Sequence, residues 1–272
     1  MFSYQGKKAV VTGAGRGIGR SVALAFAAQG ADVILAARTV DELESAAEEV
    51  EGLGRRAWVM LTDMSDLDQA LELIEKAADA MGAIDILVNN AAAVSHIEGG
   101  PGPIEQVTPE VFDAIYNLNF RSPFFASVKA AEHMKARGGG SILNVASIDG
   151  LSPTSGRAVY ASAKAALINM TESMAVELGA HGIRVNAVAP SLIDTALGGI
   201  GSDEERLDEA SLFPISRAGT PEDVATAAVY LCSDEASWIS GVTLRVAGGK
   251  QTDLDHVRWL RRVNPVPDGK RF

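Results

Sequence analysis

The chain has 272 residues, 47% of them apolar and 22% charged, with a formal net charge of −11. This composition suits a globular protein with a substantial core, and the acidic balance argues against a nucleic-acid binder, which needs a basic face. No apolar run reaches the ~18 residues of a membrane span, MFSYQGKKAVVTG holds no basic, apolar leader, and the lone cysteine, Cys232, suits a reducing cytoplasm.

In chain order, KKAVVT (7–12) reads as a β-branched strand ended by glycines, and RSVALAFAAQG (20–30) has helical spacing. DVILAA (32–37) is a second strand, followed by a charged amphipathic helix over 40–51. RAWVML (56–61), IDILVNN (84–90), GSILNVAS (140–147) and IRVNAVA (183–189) repeat the strand pattern. Helix-length segments lie between them at 66–81, 109–136 and 157–180. PEDVATAAVYLCS (221–233) is a helix with Pro221 in its first turn, and GVTLRVAGG (241–249) is a closing strand. Strands that are apolar throughout and alternate with helices predict an α/β fold, a Rossmann-like doubly wound parallel sheet of about seven strands. The alternation predicts one domain over 1–249, with a lid at 192–220 and a C-terminal extension at 250–272. That extension is basic, six Lys/Arg against three Asp, and carries Trp259.

TGAGRGIGR (12–20) falls between the first strand and the first helix and fits G-x-x-x-G-x-G with Gly13, Gly17 and Gly19. Such glycines let backbone approach a pyrophosphate seated at a helix N-terminus. A tight turn needing positive φ is the plainer alternative, but the strand–loop–helix setting favours a dinucleotide. The second strand ends AART, with Arg38 and no carboxylate before Asp41. A basic residue there suits a ribose 2′-phosphate, where an acid would take the 2′-hydroxyl. Arg16 offers a second guanidinium, so NADP(H) is favoured, with NAD(H) as the alternative. Further on, Tyr160 and Lys164 in VYASAKAAL stand four apart and share one helical face.

Together these segments resemble the short-chain dehydrogenase/reductases in their single-domain form, over roughly residues 5–249. TGAGRGIG is similar to their cofactor loop, LTDMSD (61–66) to the segment whose Asp63 contacts adenine, and NNAAA (89–93) to N-N-A-G, with Ala92 replacing glycine. NLNF, ILNVAS and YASAK carry the family's asparagine, serine, tyrosine and lysine as Asn119, Ser147, Tyr160 and Lys164. PSLIDT (190–195) resembles P-G-x-x-x-T, which holds the nicotinamide carboxamide, and implies cofactor contacts at Pro190, Ile193 and Thr195. The resemblance also places Ile18, Met64 and Asn90 against the cofactor. Two departures stand out: Ser191 replaces a glycine, and Ala247 replaces the aspartate of V-D-G-G.

The implied chemistry is hydride transfer between a nicotinamide and a CH–OH/C=O carbon, with a proton moved at oxygen. A free tyrosine, with a pKa near ~10, is a poor acid–base catalyst at neutral pH. An ammonium one helical turn away should favour the phenolate, and lowering the pKa by about two units takes ~2.7 kcal/mol. Tyr160 is then proton donor or acceptor, and Ser147 hydrogen-bonds the substrate oxygen. From the resemblance, Lys164 also holds the nicotinamide ribose and Asn119 fixes a water beside it. No metal site is read. Enoyl reduction is disfavoured, since those relatives space tyrosine and lysine further apart.

Specificity is expected from 93–104, 148–157 and 192–215, with Val94, Asp149, Ser191 and Leu192 as pocket residues. The substrate expected is a free secondary alcohol or its ketone, of steroid, polyol, terpenoid or aromatic type. The alternative is a 3-oxoacyl-(acyl-carrier-protein) reductase, for which Lys135 and Arg137 offer a basic patch. His181 replaces an expected arginine, however, and the net charge repels an acidic carrier. A catalytically silent scaffold is a third reading, opposed by the presence of Tyr160 and Lys164. The resemblance implies a homo-oligomer, tetramer or dimer, built on the helices at about 109–136 and 157–180.

Overall fold

The computed structural model describes residues 2–93, 97–195, 213–215 and 217–250. Seven parallel strands, β1 (Lys8–Thr12), β2 (Asp32–Ala37), β3 (Ala57–Leu61), β4 (Ile86–Asn89), β5 (Gly140–Val145), β6 (Ile183–Pro190) and β7 (Thr243–Val246), form one sheet. Its order is β3-β2-β1-β4-β5-β6-β7, and every neighbouring pair is parallel. The α-helices among the described residues are α1 (Gly17–Ala28), α2 (Val40–Gly52), α3 (Leu67–Met81), α4 (Pro109–Tyr116), α5 (Ser122–Ala136), α6 (Ala158–Leu178) and α7 (Pro221–Cys232).

The central strands are largely apolar because both faces are covered, while the edge strands β3 and β7 are partly exposed. Val11, Val33, Leu35 and Val88 pack on one side against Phe26 of α1, Leu43 of α2 and Val224 of α7. Their chain neighbours Val10, Ile34 and Leu87 point the other way, onto Leu73 of α3, Ala126 of α5 and Leu167 of α6. This period-two division fixes register, since a one-residue slip would exchange the two faces. Strand order reverses between β1 and β4, so a crevice opens beyond their carboxyl ends.

The helix expected over 109–136 is divided. A π-helical turn at Asn117–Arg121 separates α4 from α5. Pro123 has no N–H for the carbonyl four residues earlier. Asn119 Nδ2 also takes the Ile115 carbonyl, at 2.9 Å, an acceptor that regular helix would use. The other expected elements fall within a few residues of their predicted bounds.

At the opposite end of the sheet Asp32 is buried at 4% exposure. It is held by Lys8, by Arg55 Nη2 at 2.6 Å and by the Arg56 N–H at 3.1 Å. Burial alone would raise its pKa; the hydrogen bonds from Lys8, Arg56 and Arg55 win and bring it from 3.8 to about 2. A depressed carboxylate pKa stabilises the fold above the unfolded value, and that stability is lost as pH falls through the folded one. Asp32→Asn should therefore lower stability at neutral pH by ~2 kcal/mol. Urea titrations between pH 7 and pH 2 check this: the loss should shrink as the pH falls below 4.

Candidate active site

The crevice is built first by backbone. Gly13, at φ +65°, lies so close to β4's end that a Cβ there would meet Asn90 Nδ2 at 2.9 Å and Ala91 Cα at 3.0 Å. A Cβ on Gly19 would meet the Gly13 carbonyl oxygen at 2.1 Å. Asn90 holds this loop, its Nδ2 donating to the Thr12 and Gly13 carbonyls at 2.9 and 3.2 Å. Thr12 Oγ1 accepts from the Asn90 and Ala91 N–H groups, both at 3.0 Å. Helix α1 begins with no side-chain cap and no acid in its first turn. Its first N–H groups therefore lack side-chain acceptors, and an anion suits them. This cradle fits a dinucleotide diphosphate.

Of the remaining cofactor candidates, Ile18 is half-buried against the core and Met64 is buried. Thr195 Cγ2 stands 3.3 Å from where a Gly17 Cβ would be. Pro190 ends β6, and Ile193 forms an isolated bridge with Gly219. Arg38 is exposed past β2, with Nη1 3.9 Å from Asp63 Oδ2, and Arg16 Nη1 is 3.7 Å from Glu42 Oε1. Both contacts are long and solvated, so they hold the guanidinium groups weakly. Glu42 is absent from the sequence-derived set. Its place at the start of α2, facing the loop, has no local sequence signal.

The candidate catalytic side chains come from the turn after β5, from the π turn and from α6. Lys164 is buried at 2% exposure, its Nζ donating to the Val145 carbonyl at 2.8 Å. Burial, which disfavours the ammonium, brings its pKa from 10.5 down to about 7. Nζ stands 5.6 Å from the Tyr160 ring centre. Tyr160 is pushed up to about 12, by burial and then by the Asp149 charge, against the lowering influence of the Ser147 hydroxyl and the Arg157 charge. The expectation that Lys164 lowers Tyr160 is thus not met within the chain alone. The ammonium points to a backbone carbonyl and is itself partly deprotonated near neutrality. Asn119 is fully buried in the π turn, donating to the Ala93 and Ile115 carbonyls at 2.9 Å each, while its Oδ1 has no partner among the described atoms.

On the substrate side, the Gly102 N–H donates to the Gly156 carbonyl at 2.8 Å, joining two of the expected specificity segments. Asp149 is buried, with its carboxylate engaged by Arg157 and Thr154. Ser191 Oγ is buried without a partner among the described atoms. Leu192 lines a cavity of about 470 Å³ with Phe213, Ile215 and Arg245, and none of the four candidate catalytic residues lines it. Val94, His96, the stretch 196–212 and the extension beyond 250 lie outside the described residues. Among the described residues no His/Cys/Asp/Glu group could hold a metal, and no helix is long and apolar enough to cross a membrane.

Sequence comparison bears on this geometry. A family described as enoyl-(acyl carrier protein) reductase matches residues 13–251. The 3-oxoacyl-(acyl-carrier-protein) reductase FabG of Thermotoga maritima is 36% identical over 245 residues, 90% of this chain and 98% of that protein. A 7α-hydroxysteroid dehydrogenase solved with NADH and 7-oxoglycochenodeoxycholic acid superposes with a TM-score of 0.86 at 37% identity, covering 93% of this chain and 97% of that one. The chain belongs to the short-chain dehydrogenase/reductases. A further structure, an NAD(P)-dependent gluconate 5-dehydrogenase by description, from Beutenbergia cavernae with bound NADP, superposes at 0.85 with 35% identity, over 91% and 98% of the two chains. The protein is an oxidoreductase of this family acting on CH–OH groups, and its cofactor is a nicotinamide dinucleotide.

The tight crossing at Gly19 makes a direct prediction. Gly19→Ala must displace the Gly13 carbonyl and should weaken binding of the reduced nicotinamide dinucleotide by at least about tenfold, measured by fluorescence titration with NADH and NADPH, with the far-UV circular dichroism unchanged.

Proposed function

We propose that the chain is an NADP(H)-dependent dehydrogenase that interconverts a free secondary alcohol and its ketone, with Tyr160 as acid–base, Ser147 on the substrate oxygen, and Lys164 and Asn119 in support. The observation that carries this reading is the convergence of three side chains: Ser147 acts on the half-buried Tyr160 phenol, and the buried Lys164 Nζ stands 5.6 Å from the Tyr160 ring centre. Two hydroxyls held together in a desolvated site can bind one carbonyl oxygen and hand it a proton. When bound, the nicotinamide supplies or accepts the hydride, and its positive charge in the oxidised form adds to the pull on the Tyr160 proton. Lys164, buried and half-titrated near neutrality, is suited to pass that proton on and to hold ribose hydroxyls. The orphaned Asn119 Oδ1 is an acceptor for the water that would link Lys164 to solvent.

The NADP(H) preference rests on Arg38 and Arg16, both exposed and only loosely paired. A 2′-phosphate, carrying more charge than one carboxylate, is the stronger partner for two guanidinium groups. NAD(H) is the alternative. A steroid, polyol, terpenoid or aromatic alcohol is the substrate expected, since Asp149, the acid beside Ser147, is already paired with Arg157 and calls for no cationic substrate. The acyl-carrier reading keeps the support of the Thermotoga relative, and a carrier would meet Lys135 and Arg137. A basic patch of two residues is little against the net charge of −11. We assign residues 1–249 to one catalytic domain with a 192–220 lid, followed by the 250–272 extension, in a cytoplasmic homo-oligomer, tetramer or dimer. The exposed Phe112, Phe125 and Val128 on α4 and α5, and Trp238 at 99% exposure beside β7, support self-association.

Tyr160→Phe should lower turnover at least ~1000-fold with NADPH affinity within about twofold of wild type. Retained turnover would remove Tyr160 from the reaction. A panel of alcohols and ketones, with acetoacetyl thioesters included, assayed with both cofactors, separates the two substrate readings. Arg38→Asp should shift the kcat/KM ratio towards NAD(H) by about 10–100-fold, the equivalent of ~1.4–2.7 kcal/mol. No shift would remove Arg38 from the phosphate site.

A further inference from the structure

Asp149 follows Ser147 by two residues, and Arg157 precedes Tyr160 by three. Asp149 sits in the single 3-10 turn Ile148–Gly150, and Arg157 is the residue that opens α6. Arg157 Nη1 lies 3.2 Å from Asp149 Oδ2. Thr154 Oγ1 donates to Asp149 Oδ1 at 3.0 Å, so both carboxylate oxygens are engaged from the segment that leads into α6. Asp149 is 8% exposed, and a buried carboxylate is tolerated only when paired. The approach itself depends on Gly150, where a Cβ would meet the Lys164 carbonyl carbon at 2.7 Å. Ser147 closes the arrangement, its Oγ accepting from the Asp149 N–H at 3.1 Å.

We propose that the Asp149–Arg157 ion pair is a positioning clamp, which holds the Ser147 turn against the first turn of α6 and so sets the placement of Ser147 relative to Tyr160. The clamp rests on the reading of those two hydroxyls as the catalytic pair. Its two charges also act on Tyr160 in opposite senses: Asp149 opposes loss of the phenolic proton and Arg157 favours it. The other groups facing the Tyr160 oxygen or ring are Ser147 from the turn and Lys164 from α6 itself, with its Nζ 5.6 Å from the ring centre. Arg157 therefore does two things at once. It ties the turn down, and it cancels a charge that would otherwise hold Tyr160 protonated.

The test is the pH profile of kcat/KM for alcohol oxidation, in which the phenolate is the base and the rate rises with pH through its titration. Arg157→Gln leaves the Asp149 charge uncancelled, so the rising limb should move to higher pH by about half to one unit. Asp149→Asn should move it to lower pH. The double variant should return the limb close to its wild-type position while kcat stays at least about tenfold down and KM for the cofactor is unchanged. Arg157→Lys should recover part of kcat. Profiles and kcat values of both single variants that superpose on wild type would overturn the clamp. If Arg157→Gln fails to fold, the isosteric Asp149→Asn alone decides: an unmoved limb overturns the proposal. Should wild type turn over no alcohol or ketone on the panel, the functional reading fails separately. The clamp is then read by amide hydrogen exchange in residues 147–150, where Asp149→Asn should speed exchange and an unchanged rate would overturn it.

Discussion

A single buried hydrogen bond, from the Lys164 ammonium to the Val145 carbonyl at 2.8 Å, organises the centre of this molecule. It fastens the middle of α6 to the last residue of β5, two residues before Ser147. A lysine in that place is costly, because its charge has one carbonyl in exchange for water. The cost is visible as a pKa pulled from 10.5 to about 7. Around it runs a network that leaves α6 little freedom. Asn144 Nδ2 donates to Thr171 Oγ1 at 2.9 Å, and Asn89 Nδ2 donates to Asn144 Oδ1 and Ser127 Oγ, both at 2.8 Å. These bonds tie β4, β5, α5 and α6 into one block, with Asn89 Oδ1 the one atom of these side chains left without a partner among the described atoms.

The same burial decides how the site titrates. Desolvation pushes Tyr160 up and Lys164 down, each towards its neutral form, so the chain alone holds a phenol beside a partly deprotonated amine. Near neutrality Tyr160 is uncharged and Lys164 is charged only in part. In the proposed reaction, ligand charge and hydrogen bonds would draw the proton off Tyr160, coupling acid–base competence to occupancy of the crevice. Ser147 and the Asp149–Arg157 pair supply the local balance on which that coupling acts.

Most of the fold was legible in sequence because parallel strands buried on both faces read as unbroken apolar runs, as in DVILAA and IDILVNN. The glycine loop was legible for a similar reason: only glycine tolerates the crossing of Gly13 and Gly19. What escaped the sequence reading depends on distant partners. The π turn needed Asn119 to find the Ile115 carbonyl and Pro123 to withhold an N–H, and helical periodicity runs through both. The Asn89–Asn144–Thr171 network left only polar residues inside apolar strands as its trace. Asp149 was visible as an unusual acid near Ser147, but nothing local named Arg157 as its partner. Spacing placed Tyr160 and Lys164 on one face, yet the direction of their pKa shifts came from burial, which the spacing does not encode.

The most direct test of this account is the titration of Lys164 itself, followed by carbon-13 NMR of the lysine ε-methylene, with the Lys164→Met variant used for assignment. The account predicts a transition near pH 7 in the protein alone. A transition near the ordinary lysine value of 10.5 would contradict it, since the ammonium would then be solvated and free to act on Tyr160 without bound cofactor.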